Sequence, residues 1–157
     1  RLIAETQRGG AEFALALVDL DRFKQINDAY GHDAGDTVLA ATGQRLAEAV
    51  RAGDRVARLG GDEFALLLYP VGDDEASLEA VYRRITERLA EPIRVPSGDF
   101  VRAGASVGIA RCPQDADSAE ALYKSADIAL YDAKRAGRGQ WRRAGCAVPV
   151  EIEPHGR

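Results

Sequence analysis

The apolar positions of this chain fall into short blocks separated by acidic and glycine-rich breaks. Residues 13 to 19, Phe-Ala-Leu-Ala-Leu-Val-Asp, form an apolar run that ends in acid, too short for a typical helix and suited to a strand buried on both faces. From Arg22 to Ala29, Phe23 and Ile26 share one side at helical spacing, and Tyr30-Gly31 closes the segment as a helix end does. A second helix is predicted from Gly35 to Val50, carried by Val38, Leu39, Leu46, Ala49 and Val50 and closed by Gly53. Arg55 to Leu59 and Glu63 to Tyr69 read as two strands of a hairpin, because the paired glycines of Gly60-Gly61-Asp62 tolerate the positive φ of a tight turn.

Past Pro70, the acidic loop Gly72-Asp73-Asp74-Glu75 leads into an amphipathic helix from Ala76 to Ala90, with Leu78, Val81, Ile85 and Leu89 on the buried stripe and Pro92 as its stop. A strand pair is predicted at Ile93 to Val95 and Phe100 to Ala110, joined by the turn Pro96-Ser97-Gly98-Asp99. Ser118 caps a last helix with Ala121, Leu122, Ala126, Ala129, Leu130 and Ala133 inward, ending at Gly137. The order β-α-α-β-β-α-β-β-α predicts an α+β domain, an antiparallel or mixed sheet covered by helices, over residues 1–143. Residues 144–157, with Pro149 and Pro154 and no periodicity, read as a tail or linker.

Composition narrows the class. Of 157 residues, 46% are hydrophobic and 29% charged, as in a soluble globular domain, and no stretch approaches the roughly 18 apolar residues of a membrane span. With no signal-peptide pattern the domain is expected in the cytoplasm, whether or not a parent protein is anchored at a membrane. The net charge of −4 excludes a generally basic surface and hence bulk nucleic-acid binding, while leaving room for a local anion pocket. Cys112 and Cys146 stand far apart with no CxxC and no zinc-type spacing, so both are expected to be buried or idle thiols. The chain contains no Met, as expected of a piece of a longer protein.

Candidate chemistry lies in acids distant in sequence. Asp19 and Asp21 close the first strand, and Asp62 and Glu63 sit at the hairpin tip, so a sheet that aligns the two would crowd carboxylates. Crowded like charges call for a cation, and oxygen ligands without histidine suit Mg²⁺ or Mn²⁺ better than zinc. Asp19 and Asp21, two apart in an extended chain, are expected to point to opposite faces, so that only one faces Asp62. The helix starting near Arg22 offers unpaired N–H groups to a phosphate, with Lys24 in its first turn. Singly, each of these is an ordinary turn acid or solvated charge; together they are what phosphoryl or nucleotidyl transfer needs.

Five segments then occur in order: Asp19-Leu-Asp-Arg-Phe-Lys-Gln-Ile-Asn-Asp28, Gly31-His-Asp-Ala-Gly-Asp36, Arg58-Leu-Gly-Gly-Asp-Glu-Phe64, Ser106-Val-Gly-Ile-Ala110 and Ala126-Asp-Ile-Ala-Leu-Tyr-Asp-Ala-Lys-Arg-Ala-Gly-Arg138. This series resembles the motifs of the GGDEF family, the diguanylate cyclases, over about residues 12–140. The resemblance implies a fold like the nucleotidyl cyclase and polymerase palm, a central antiparallel sheet with the signature hairpin at the active site. It implies that two GTP molecules, each on its own copy of the domain, condense into cyclic di-GMP with release of pyrophosphate. On matching positions, Asp19, the carbonyl of Leu20, Asp62 and Glu63 would hold two divalent ions, Mg²⁺ or Mn²⁺, and Asp62 would accept the proton of the attacking 3′-hydroxyl. Asn27 and Asp36 would read the guanine edge, with Phe23 and His32 beside the substrate. Lys24, Lys134 and Arg138 would meet the phosphates. Without the resemblance, Lys134 and Arg138 are cations favoured at a helix C-terminus.

Arg51-Ala-Gly-Asp54, just before the hairpin, looks like the family's RxxD product site: an Arg fork grips phosphate or guanine while Asp accepts from N1–H. Arg83 or Arg84 could supply an opposing half-site. The resemblance also implies sensory or output domains linked in the parent. Two rivals follow from the same residues, a non-catalytic GTP- or cyclic di-GMP-binding regulatory module and a product receptor using only Arg51 and Asp54. The intact Gly60 to Phe64 signature favours the cyclase. The last motif ends Gly-Arg-Gly-Gln where an Asn often follows the Arg, and no residue given a charge role is lost by it.

Overall fold

In a computed structural model, which describes residues 12–69 and 74–145, the long apolar run becomes strand β1 (Phe13–Asp21), buried along all nine residues. It is followed by helices α1 (Phe23–Tyr30) and α2 (His32–Ala49), the hairpin β2 (Arg55–Gly60) and β3 (Glu63–Leu68), and helix α3 (Glu75–Leu89). Strands β4 (Ile93–Arg94), β5 (Phe100–Val101) and β6 (Gly104–Cys112), helix α4 (Ala119–Arg135) and strand β7 (Trp141–Arg143) complete the described chain. The main sheet has the order β2-β3-β1-β6-β7, antiparallel except where β7 runs parallel to β6; β4 and β5 form a separate two-stranded sheet. This is the α+β arrangement the patterning implied. No helix among the described residues is long and apolar enough to cross a membrane.

Period-two alternation divides the interior into two layers. Ala14, Ala16, Val18 and Leu20 of β1 join Val38, Leu46, Leu78, Val81 and Ile85 of α2 and α3 on one face. Phe13, Leu15 and Leu17 meet Leu122, Ala126 and Leu130 of α4 on the other. Each fully covered Leu or Ile contributes about 1.5–3 kcal/mol of transfer free energy, so a central strand with a core on both sides anchors everything attached to its ends. Gly108 of β6 lets α4 approach closely: a Cβ there would lie 2.3 Å from the main chain at Ala126 and Leu130.

Several boundaries move. The expected strand Phe100 to Ala110 is two strands, because residues 102–103 leave the ladder and the polypeptide changes sheet from β5 to β6. The second helix begins at His32 rather than Gly35, since Gly31 with φ +92° makes the sharp turn out of α1 and lets α2 start at once. Strand β7 was not foreseen; beyond it the Ala144 N–H still donates to Ile109 O at 2.7 Å. Cys112 is buried and unbridged, with its thiol pushed up mainly by burial, whereas Cys146 and the rest of the expected tail from there lie outside the described residues.

Candidate active site

The register of the sheet assembles the acids. Asp19 stands opposite Glu63 on β3 and opposite Ser106 on β6, so Glu63 shares the α4 side of the sheet with Asp19. The hairpin tip is pinned to β1 by the Leu20 N–H, which donates to Asp62 O at 3.2 Å. Within the tip, Gly60 and Gly61 take φ +144° and +52°, and the Arg58 guanidinium donates from Nε and Nη2 to Gly61 O at 3.1 and 2.8 Å. Asp62 is thereby held near enough to Asp19 for the Asp19 carboxylate to act on its carboxyl.

The charges are poised against each other. Burial first, then the Asp19 charge, raise the Asp62 carboxyl above its ordinary range. Burial also leads the rise at Glu63, followed by Asp19 and Asp127, against a hydrogen bond from the Tyr123 hydroxyl at 3.4 Å. Lys134 of α4 supplies the compensating charge by pairing with Asp19 Oδ2. Asp19 Oδ1 is buried with no hydrogen-bond partner. An orphaned carboxylate oxygen beside a second carboxyl is costly unless a cation meets it, and the donors are all oxygen, so the residues fit Mg²⁺ or Mn²⁺. Among the described residues no three His, Cys, Asp or Glu side chains form a ready-made metal group.

Asp21 was a candidate for the same cluster. Strand residues two apart share a face, and Asp21 does lie on the α4 side, but its carboxylate is turned to the Ser106 hydroxyl at 2.7 Å and the Gly139 N–H at 2.9 Å. Only Asp19 meets Asp62, and the reason is that Asp21 is bonded elsewhere, not that the two acids point to opposite faces.

Gly35, in the first turn of α2, makes room for Asn27 of α1: a Cβ at Gly35 would stand 1.8 Å from Asn27 Oδ1 and 3.2 Å from the Phe23 ring. Asn27 and Phe23 therefore meet at one point of α2, with exposed Asp36 next along the chain and exposed His32 at the helix start. Helix α1 begins at Phe23, one residue later than expected, from Arg22 in the left-handed region with no side-chain cap, and Lys24 is exposed in its first turn. Arg138 has φ +63° and its guanidinium lies 3.9 Å from Asp21 Oδ1. Gly35, Tyr123 and Asp127 carry no sequence signal of their own as site residues, although Gly35 and Asp127 lie inside the motif segments Gly31–Asp36 and Ala126–Arg138.

The RxxD segment lies elsewhere. The Asp54 carboxylate accepts the N–H groups of Arg51 and Tyr69, both at 2.9 Å, with the Arg51 guanidinium 3.9 Å away. Arg84 donates from Nε to Ala49 O at 2.6 Å, which ties it to the end of α2, whereas Arg83 is exposed.

The chain is an α+β domain whose mixed sheet carries paired acids at a glycine hairpin, with a lysine paired to one of them. Residues 1–140 match the family described as diguanylate cyclase, GGDEF domain, and the chain belongs to that family. It is 42% identical over 144 residues to the diguanylate cyclase TpbB of Pseudomonas aeruginosa, covering 92% of this chain and 33% of that protein, so it spans about a third of that relative's length. The crystal structure of the TpbB GGDEF domain from Pseudomonas aeruginosa matches with a TM-score of 0.86 at 41% identity, covering 92% of this chain and 89% of the other. The GGDEF domain of DgcB from Caulobacter crescentus, solved in complex with c-di-GMP, matches with a TM-score of 0.78 at 27% identity, covering 89% and 82%.

Proposed function

We propose that this domain is a diguanylate cyclase that joins two GTP molecules into cyclic di-GMP, releasing two pyrophosphates, with one GTP on each of two facing copies. The observation that carries the reading is the buried, partnerless Asp19 Oδ1 next to the Asp62 carboxyl, whose proton affinity is raised by burial and then by the Asp19 charge. Asp19, the Leu20 carbonyl, Asp62 and Glu63 would hold two divalent ions. Bound there, such ions neutralise phosphate charge and lower the pKa of a coordinated hydroxyl.

The chain's own residues do the rest. Asp36 accepts from guanine N1–H and N2–H, and Asn27, seated against Gly35, both donates and accepts; adenine offers an aspartate the wrong edge. Phe23 and His32 flank the base. Lys24, Lys134 and Arg138 carry the positive charge that the triphosphate and the departing pyrophosphate require. Asp62 takes the proton of the 3′-hydroxyl that attacks the α-phosphorus of the facing GTP. Product binds at the Arg51–Asp54 turn through the exposed Arg51 guanidinium and inhibits; the DgcB domain solved with c-di-GMP supports a product-binding role in the family.

The test is incubation with GTP and Mg²⁺ or Mn²⁺ at rising protein concentration, with chromatographic detection of cyclic di-GMP and an Asp62→Ala control. Turnover per molecule should rise with concentration, because each reaction needs two domains, and the control should be silent. A chain that binds GTP and metal yet forms no cyclic di-GMP at any concentration would make the domain a regulatory module instead.

A further inference from the structure

Asp21 ends β1 beside the proposed metal site, yet the protein itself occupies both of its carboxylate oxygens. Oδ1 accepts the Ser106 hydroxyl at 2.7 Å and lies 3.9 Å from an Arg138 nitrogen. Oδ2 accepts the Gly139 N–H at 2.9 Å, and the same N–H reaches Ser106 Oγ at 3.2 Å. Gly104, opposite Asp21 in the ladder, leaves space for this ring: a Cβ there would stand 3.3 Å from Oδ2. Asp21 is only 7% exposed. Asp19, by contrast, keeps a buried oxygen without a partner. The charges separate in the same way, since Asp19 raises both Asp62 and Glu63, whereas the charge of Asp21 is felt at Tyr82 of α3.

What the ring holds is an unfavourable piece of backbone. Gly137, Arg138 and Gly139 have φ of +121°, +63° and +58°, and a left-handed non-glycine residue persists only where its surroundings enforce it. The Arg138 N–H is held by Ala133 O at 3.0 Å, and Gln140 O accepts from the Val107 N–H at 3.0 Å. Between those two fixed points, the Gly139 N–H on Asp21 and Ser106 sets the turn.

We infer that Asp21 is a positioning residue and not a metal ligand: through Ser106 and the Gly139 N–H it locks the left-handed turn that aims Arg138 at the phosphates beside β1. This rests on the proposed reading of Arg138 as a phosphate group binder. A buried carboxylate accepting a hydroxyl and an N–H forms charge-assisted bonds, so neutralising it should loosen the turn while leaving the metal-facing oxygen of Asp19 in place.

The test compares the whole chain with its Asp21→Asn, Ser106→Ala and Asp19→Asn variants in three measurements. These are Mn²⁺ affinity without nucleotide, affinity for a non-hydrolysable GTP analogue, and amide hydrogen exchange at Gly139. Asp21→Asn should leave Mn²⁺ affinity within about twofold, weaken the analogue about tenfold and speed Gly139 exchange by about tenfold or more. Ser106→Ala should move the last two in the same direction by about threefold, and it carries the test if Asp21→Asn does not fold. A loss of Mn²⁺ affinity in Asp21→Asn equal to that in Asp19→Asn would overturn the inference, as would unchanged Gly139 exchange in both latch variants. If the unaltered chain binds Mn²⁺ but not the analogue, the nucleotide reading fails, and Gly139 exchange still decides whether Asp21 locks the turn.

Discussion

A single missing methyl group shapes the proposed base pocket. At Gly35 an added Cβ would overlap Asn27 Oδ1 at 1.8 Å, and the obstacle is the tip of a movable side chain rather than backbone. Gly35→Ala should therefore swing Asn27 aside and leave the fold standing. We expect the KM for GTP to rise by about tenfold, as for loss of one or two polar contacts, with a melting temperature changed by only a few degrees. Steady-state kinetics and thermal denaturation check the pair of outcomes; a large fall in melting temperature would show that Gly35 serves packing instead. The acids make a second prediction. Asp62 and Glu63 are both raised above their ordinary values of 3.8 and 4.5, so the folded chain binds more protons than the unfolded one between those values and the raised ones. Stability of the metal-free chain should then fall as pH rises through that window and recover on acidification. Asp62→Asn should melt higher than the unaltered chain at pH 7 without metal, and the difference should shrink toward pH 4. Equal melting curves at both pH values would refute the repulsion.

The elements carry these residues, and their legibility followed the strength of local pattern. Strand β1 was readable because nine consecutive positions are buried, and the hairpin because Gly60-Gly61 admits few other structures. Strand β7 was not, since three residues offer no period and its pairing with β6 is parallel and remote. The Asp21 latch was equally hidden, because the Gly139 N–H lies 118 positions away in sequence. Sequence pattern did place Asp19 near the hairpin tip, while the closeness of α4, which delivers Lys134 and Tyr123, depends on Gly108. There a Cβ would meet backbone at 2.3 Å, and backbone cannot step aside. Gly108→Ala should cost about 3 kcal/mol or more by overpacking, well beyond the effect of Gly35→Ala, and should lower kcat by displacing α4. Denaturant titration reads the first quantity, and a cost below that of Gly35→Ala would contradict the packing argument.

At the scale of the molecule, the distance between the two proposed sites constrains how product could inhibit. Arg51 and Asp54 precede the start of β2 at Arg55, and the acidic tip follows its end at Gly60, so roughly 17 Å of strand lies between them. Product held at Arg51 cannot touch Asp19 or Asp62 of the same domain. On the proposed reading, inhibition from there acts on the acids at a distance and not by contact. The two residues of the pair also differ in what else they do. The Asp54 side chain is 0% exposed and occupied by two main-chain N–H groups, whereas the Arg51 side chain is 55% exposed. Asp54→Ala should cost about 1–3 kcal/mol by leaving those donors without an acceptor, so any change in inhibition would be mixed with a loss of fold. Arg51→Ala is the clean experiment. Its melting temperature should match the unaltered chain, its initial rate should be unchanged, and the progress curve that flattens as cyclic di-GMP accumulates should stay linear for longer. Inhibition of undiminished strength in Arg51→Ala would remove the RxxD segment from the regulatory account and leave Asp54 as a turn-forming residue at the foot of the hairpin.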